Sequence, residues 1–164
     1  LGHRRITHMS GPAHMWTAGE RIMGFRHTMN AARIHDLDIV DGGYMYEPAY
    51  AKAMELLTRA KPPTAILAAN NVMGLGCLAA IQDLGFICPD EISLATIDNV
   101  PWSSVIKPKL TLVEQDQASL AKTAINYLIE RMRNPKLTGT LGRETILTPR
   151  LALGNSTQAP RTTI

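Results

Sequence analysis

Pro62-Pro63-Thr64-Ala65-Ile66-Leu67-Ala68-Ala69-Asn70-Asn71-Val72-Met73-Gly74-Leu75-Gly76 is the stretch that decides the fold. Ala65 to Ala69 is an unbroken apolar run of small and branched residues, which reads as a strand buried on both faces. Two amides follow it. Val72 to Leu84 then reads as a helix of small and apolar residues, closed by Gly85. A strand that passes through a polar turn directly into a helix is half of a βαβ unit. In an open parallel sheet, ligands gather at that edge, outside the carboxyl ends of strands and near the amino ends of helices. Asn70 and Asn71 therefore stand where something is bound.

The same design extends in both directions. Ile6 to Ser10 is a short strand that stops at Gly11-Pro12. Thr17 to Ala32 carries Ile22, Phe25 and Met29 at helical spacing, with Thr17 as N-cap and Glu20 completing a capping box. Asp38 to Asp41 is a weak strand broken by Gly42-Gly43. Pro48 to Arg59 is a helix with Pro48 in its first turn and Met54, Leu56 and Leu57 inward. Ile92 to Ile97 is a strand, and Leu110 to Val113 is extended after the break at Lys107-Pro108. Leu120 to Arg133 is an amphipathic helix striped by Leu120, Ala124, Tyr127, Leu128 and Met132. Glu144 to Leu153 supplies closing strands, and the last ten residues read as a loose polar tail. Leu137 to Gly142 is a small polar loop. Strands alternating with helices of this length give an α/β fold, a parallel sheet with helices on both faces.

Composition narrows the class. The chain has 164 residues, 45% of them apolar, enough for one domain with a real core or for part of two. The net charge of +3 is scattered except at His3-Arg4-Arg5, which reads as a solvated turn rather than a nucleic-acid site. Cys77 and Cys88 lack metal-ligand spacing and read as idle thiols of a reducing compartment. No apolar run is long enough to span a membrane, and no secretory signal opens the chain, so no membrane partner is expected. The start, Leu1-Gly2-His3-Arg4-Arg5-Ile6, reads as a helix end, a glycine stop and the entry to a strand, so the chain seen here opens mid-domain.

Most familiar chemistry finds no support. Gly74-x-Gly76 lies inside a helix, without the lysine or the glycine spacing of a phosphate loop, and reads as a close-packing pair. His8, His14, His27 and His35 show no spacing for a metal, and no cofactor is implied. There is no Gly-x-Ser-x-Gly elbow, and Ser103 and Ser104 lack an identifiable base. What remains is a set of polar groups at strand ends. Asp98-Asn99 ends one strand, Asn70-Asn71 another, and Gln115-Asp116 the extended segment. Arg21 lies one turn into the first helix on the same edge, and Tyr44 follows the Gly42-Gly43 break. Carboxylate, amide and guanidinium groups make paired hydrogen bonds with a polyol or a heterocycle. Tyr44, Trp16 and Trp102 offer flat faces for stacking on a sugar or base. The plain alternative is that Asn70 and Asp98 only cap the next helices. Convergence on one sheet edge favours a pocket.

These residues resemble the core of LacI-type transcription regulators. The likeness runs through Gly2 to Ile6, Ser10-Gly11-Pro12, Arg21-x-x-Gly24-Phe25, Pro62 to Ile66, Ala69-Asn70-Asn71-x-Met73-Gly74-x-Gly76, Leu84-Gly85 and Pro89-x-x-Ile92-Ser93. It continues through Ile97-Asp98-Asn99-x-Pro101-Trp102, Pro108-x-Leu110-Thr111 and Gln115-Asp116, in order across almost the whole chain. The resemblance implies a two-lobed core of the type I periplasmic-binding-protein kind, with an effector between the lobes that controls operator affinity. It implies that residues 1–114 and 140–155 form the C-terminal lobe. Residues 115–139 would be a crossover and a helix of the N-terminal lobe, and 156–164 a tail. The second lobe would be incomplete, and the DNA-binding head would lie outside these residues.

By position, the resemblance puts effector contacts on Thr17, Arg21, Tyr44, Asn70, Asp98 and Gln115, with Trp16 at the pocket mouth. It puts a homodimer surface on Met73, Leu75 and Leu78 and on Trp102, Val105 and Ile106. Departures bear on the ligand. Asn71 and Asn99 stand where the family usually or often has acids, and Thr96-Ile97 replaces a Gly-Phe pair. Met15-Trp16 replaces the basic residue of purine-responsive members, which tilts the effector toward a sugar or sugar derivative. The implied setting is the cytoplasm, with operator DNA reached only through the separate head. A periplasmic sugar receptor of a transporter is the alternative on the same lobe. A sugar-processing enzyme would need a catalytic pair that the sequence does not offer.

Overall fold

The computed structural model describes residues 1–99, 105–134 and 142–161. Elements follow in the order β1 Ile6–Ser10, α1 Trp16–Ala31, β2 Asp38–Asp41, α2 Tyr46–Leu57, β3 Ala65–Ala68, α3 Asn71–Asp83, β4 Ser93–Ile97, β5 Thr111–Glu114, α4 Gln117–Arg133 and β6 Arg150–Ala152. They form a six-stranded sheet ordered β2-β1-β3-β4-β5-β6. The first five strands are parallel, and β6 runs antiparallel to β5, pairing Leu112 with Ala152. The sequence reading of a parallel sheet with helices on both faces holds for these five strands, and the antiparallel β6 adds an edge to it. An edge strand has one neighbour and no helical crossover to obey, so the return from α4 runs in reverse.

Strand order reverses between β1 and β3. Right-handed crossovers then carry α1 over one face of the sheet and α2 over the other. Register lines up Met9, Ala68 and Thr96 on one row, and Thr7, Ile66 and Leu94 on the next. Met9, Ala68, Ile66 and Leu94 meet Leu56 and Leu57 of α2 and Met73, Cys77 and Ile81 of α3 in the core. The two helices cross closely because Gly76 has no side chain. A Cβ there would lie 2.6 Å from the Tyr46 carbonyl oxygen, which supports the close-packing reading. Burial pushes the Cys77 thiol up to about 12 and that of Cys88 to about 11, so neither is a nucleophile at neutral pH.

On the opposite face, α1 seats Phe25 on the His8 ring, with centroids 5.1 Å apart. His8 is buried, and Nδ1 bonds the Leu67 carbonyl at 3.0 Å, while Nε2 has no hydrogen-bond partner. Burial holds this imidazole below its ordinary 6.5, and the nearby Arg21 adds to that, against the opposing effect of the Leu67 bond.

Helix starts fall earlier than the sequence reading. α1 opens at Trp16 on Met15, with no side-chain cap, so the Thr17–Glu20 capping box does not form. α2 opens at Tyr46, and Pro48 stays in its first turn, where the missing N–H costs nothing. The loose tail is also corrected. Ser156 is fully buried: its Oγ accepts from the Thr111 N–H at 2.8 Å and donates to the Leu94 carbonyl at 2.6 Å. Gln158 N donates to Ser93 Oγ at 3.1 Å, and the Gln158 carbonyl bonds His3 Nε2 at 2.8 Å. A polar tract thus supplies the donors and acceptors that the bottom of β4 and β5 would otherwise leave unpaired.

α4 has no buried residue. One face, through Tyr127, meets the returning segment, where Tyr127 Oη and Thr145 Oγ1 are 2.6 Å apart and Arg143 lies 5.0 Å over the Tyr127 ring. The other face leaves Ile125, Leu128, Ile129 and Met132 exposed.

Two outcomes test this packing. Ser156→Ala should lower unfolding free energy by about 1–3 kcal/mol, because two buried backbone groups lose their partner; urea melts of both chains measure it, and an unchanged midpoint would contradict the strap. His8 binds its proton less readily folded than unfolded, so acidification from about pH 7 to about pH 5 favours the unfolded chain. His8→Gln should flatten that part of the melting-temperature profile, and an identical slope would show that His8 does not contribute.

Candidate functional site

The carboxyl edge of the sheet, where strand order reverses between β1 and β3, opens a crevice. Its floor turns sharply. After β2 the Asp41 carboxylate accepts from the Gly43 N–H at 2.8 Å, and Gly43 and Tyr44 take left-handed φ values of 66° and 58°. A tyrosine in that region is strained, and such strain concentrates at binding sites. The turn swings the Tyr44 ring over Gly11, where a Cβ would lie 2.2 Å from the ring. Gly11 is thus fixed by a close approach rather than by its own φ.

Around this ring the structure gathers the polar groups. Thr17 Oγ1 lies 3.4 Å from Tyr44 Oη. The Arg21 guanidinium lies 5.9 Å from the ring centre and donates from Nη1 to the Ala69 carbonyl at 2.7 Å. Arg21 Nη2 is 3.8 Å from Asp98 Oδ2, an ion pair but too long for a hydrogen bond. Asp98 takes a left-handed φ of 70° with its N–H bonded to the Val113 carbonyl at 2.9 Å, and Gln115 Nε2 donates to its Oδ1. Asn70 caps α3, as the plain alternative expects, and also ties down the Tyr44 turn. Its Oδ1 caps α3 by accepting from the Met73 N–H at 2.8 Å, and its Nδ2 donates to the Tyr44 carbonyl at 3.2 Å.

Thr17, Arg21, Tyr44, Asn70, Asp98 and Gln115 therefore form one connected set. Trp16 stands apart: it is 77% exposed, and among the described residues no hydrogen bond or ring contact joins it to the set. The pocket-edge cation and anion offset each other. Asp98 keeps an oxygen outside hydrogen-bond reach of Arg21, and Arg21 keeps donors beyond the one given to Ala69. Such a site offers donors, acceptors and an aromatic face at little net charge, which suits vicinal hydroxyl groups. Among the described residues no group of three or more His, Cys, Asp or Glu side chains could hold a metal.

Arg21 and Gln115 also border a cavity of about 470 Å³ that continues between β5, α4 and the returning segment, past Leu120, Tyr127 and Thr145. Sequence reasoning put Tyr127 in a packing stripe and missed its bond to Thr145, because nothing in the irregular 143–149 segment marks it as a partner. It also missed Glu114. Asn71 Nδ2 donates to the Asn99 carbonyl at 3.2 Å, Asn99 Nδ2 donates to Glu114 Oε1 at 3.0 Å, and Arg150 pairs with Glu114. This row braces the rim beside Asp98.

The proposed dimer residues divide. Met73 is wholly buried in the core, which corrects its placement on a surface: helical rotation turns Met73 inward and Val72 and Leu75 outward. Leu78, itself largely buried, lines a shallow groove with Leu75 and Ile106. Val105 is 75% exposed. Trp102 lies outside the described residues.

Comparison with known proteins places this arrangement. A family model, the periplasmic binding protein-like domain, matches residues 1–157. The HTH-type transcriptional repressor PurR of Escherichia coli O1:K1 / APEC is 32% identical over 137 residues, 82% of this chain and 40% of its own length. The chain thus spans about two fifths of that relative. A LacI family transcriptional regulator from Enterococcus faecium with bound ribose superposes with a TM-score of 0.85 at 25% identity, over 95% of this chain and 57% of that one. The lac repressor dimer bound to operator and the anti-inducer ONPF gives 0.85 at 26% identity, over 97% and 54%. The described residues contain no helix long and apolar enough to cross a membrane. The chain belongs to the periplasmic binding protein-like domain family, in the form found in the effector-binding core of LacI-type regulators.

Proposed function

We propose that this chain contributes one lobe of the effector pocket of a ligand-controlled transcriptional repressor. Thr17, Arg21, Tyr44, Asn70, Asp98 and Gln115 bind a sugar or sugar derivative, with Trp16 at the mouth. The observation that carries the reading is Asp98, held in a left-handed conformation between Arg21 and Gln115 beside the equally strained Tyr44. Residues 1–114 and the return through 158 belong to this lobe. α4 belongs to the other lobe, a reading supported by its exposed Ile125, Leu128, Ile129 and Met132. Two copies pair through the outer side of α3, with Leu75 and Leu78, and through Trp102, Val105 and Ile106.

The effector acts by closing the lobes and shifting the population of cores that suit operator binding. Operator contact runs through a DNA-binding domain outside these residues, and effector and operator change each other's affinity by the same factor. The protein works in the cytoplasm, without a catalytic step or a cofactor. A transport receptor of the same fold would share the pocket, but the likeness to PurR favours the repressor.

The isolated chain should bind its effector weakly, with a Kd of roughly 1 mM or above, since only half the contacts are present. In a saccharide screen followed by amide chemical shifts, one pentose or hexose should move the resonances of residues 17, 21, 44, 70 and 98 together. Asp98→Asn should weaken that binding about tenfold or more, because a charged acceptor is lost. Shifts scattered away from this edge, or turnover of the sugar, would contradict the reading. Gly11→Ala should displace Tyr44 and lose at least several-fold in saccharide affinity; unchanged affinity would show that the ring is not part of the pocket.

A further inference from the structure

The opposite edge of the sheet holds a second cleft that the effector reading leaves unused. It lies at the amino ends of β1 and β2, beside the loop from α2 to β3, and encloses about 210 Å³. Arg4, Arg5, Arg59 and Lys61 line it with Asp36 and Asp38, so four cations against two carboxylates leave two positive charges in excess. One carboxylate is already engaged: Asp38 Oδ2 accepts from Thr7 Oγ1 at 2.6 Å and from Arg59 Nη1 at 2.9 Å.

Arg4 and Arg5 are held in place but not neutralised. Arg4 Nη2 donates to the Arg33 carbonyl at 3.0 Å, and Arg5 Nε donates to the Pro62 carbonyl at 3.1 Å. Each bond spends one donor of a guanidinium fork on an uncharged backbone oxygen and keeps the fork in place. Among the described residues, Lys61 has neither a hydrogen bond nor an ion pair. Arg33 presents its carbonyl from a left-handed φ of 56° at the end of α1, a place where glycine would be less strained. Guanidinium forks and an ammonium gathered in a concave site, with spare donors and excess positive charge, suit planar or tetrahedral oxyanions.

We propose that this cleft binds a small polyanion carrying phosphate or carboxylate groups. A cleft of about 210 Å³ matches a small ion in size rather than a polymer. The site is independent of the effector pocket, which lies at the other end of the strands. A ligand here would sit against the α2 to β3 loop, which leads into β3 and on to Asn70 at the start of α3.

The test titrates the whole chain with pyrophosphate, and separately with citrate, at constant ionic strength. It follows the amide shifts of residues 4–7, 36–38 and 59–61. Saturable shifts confined to these residues are expected with at least one of the two, and the stronger binder tells whether phosphate or carboxylate is preferred. Lys61→Ala removes no internal bond and should weaken that binding about tenfold. Arg5→Lys keeps the charge but loses the fork, and should weaken it by a smaller factor. Lys122→Ala, on the exposed side of α4, should leave it unchanged. Shifts that grow linearly without saturation overturn the proposal, as does equal weakening by Lys122→Ala, or a response to duplex DNA with none to either anion.

Discussion

The Asp98 carboxylate organises the carboxyl edge of the sheet. It is delivered by β4 and turned by a left-handed backbone. Arg21 reaches it from α1, and Gln115 reaches it from the end of β5. Three chain segments far apart in sequence thus meet on one charged group. Arg21 extends the same link to the Ala69 carbonyl and the Tyr44 ring, which ties in the turn after β2 and the entry to α3. Desolvating an aspartate beside an arginine is tolerable only with the charges matched and hydrogen bonds supplied. Here both are present, yet Asp98 Oδ2 stays beyond hydrogen-bond reach of Arg21.

The sheet beneath is built so that this edge stays rigid. Gly76 lets α2 and α3 close on each other, and the buried core lies on their side of the sheet. Ser156 and Gln158 tie the far end of the chain to β4 and β5, and so fix the strands that deliver Asp98 and Gln115. The opposite character of α4 fits an element shared with another body: its polar contacts run to the 143–145 segment, while its outer apolar face stays exposed among the described residues. A two-lobed receptor needs such an element, because lobes that move against each other must be joined by chain that belongs to both.

Much of this was legible in the sequence. The apolar run at Ala65 to Ala69, the alternation of strands and helices, and the polar residues at strand ends led to the sheet and to Arg21, Tyr44, Asn70, Asp98 and Gln115 meeting at one edge, while Thr17 was placed there only by the resemblance to LacI-type regulators. Those signals are local, and the topology follows from them. The misses are cases where local pattern and tertiary demand part. Thr17 looks like a cap because of Glu20, but its hydroxyl faces Tyr44 instead. The resemblance puts Met73 on a dimer surface, but helical phase turns it into the core. Residues 155–158 are polar and read as loose, yet that polarity is what the unpaired backbone of β4 and β5 requires. Thr145 lies in a segment with no periodic pattern, so its pairing with Tyr127 had no sequence signal.

Reading the codons upstream of Leu1 tests most directly whether this sheet is one lobe of a regulator's effector core. The account predicts an in-frame extension that encodes a helix-turn-helix followed by a second α/β lobe able to cover the exposed face of α4. A secretory signal peptide ahead of that lobe, with no DNA-binding segment, would contradict it and make the protein a transport receptor.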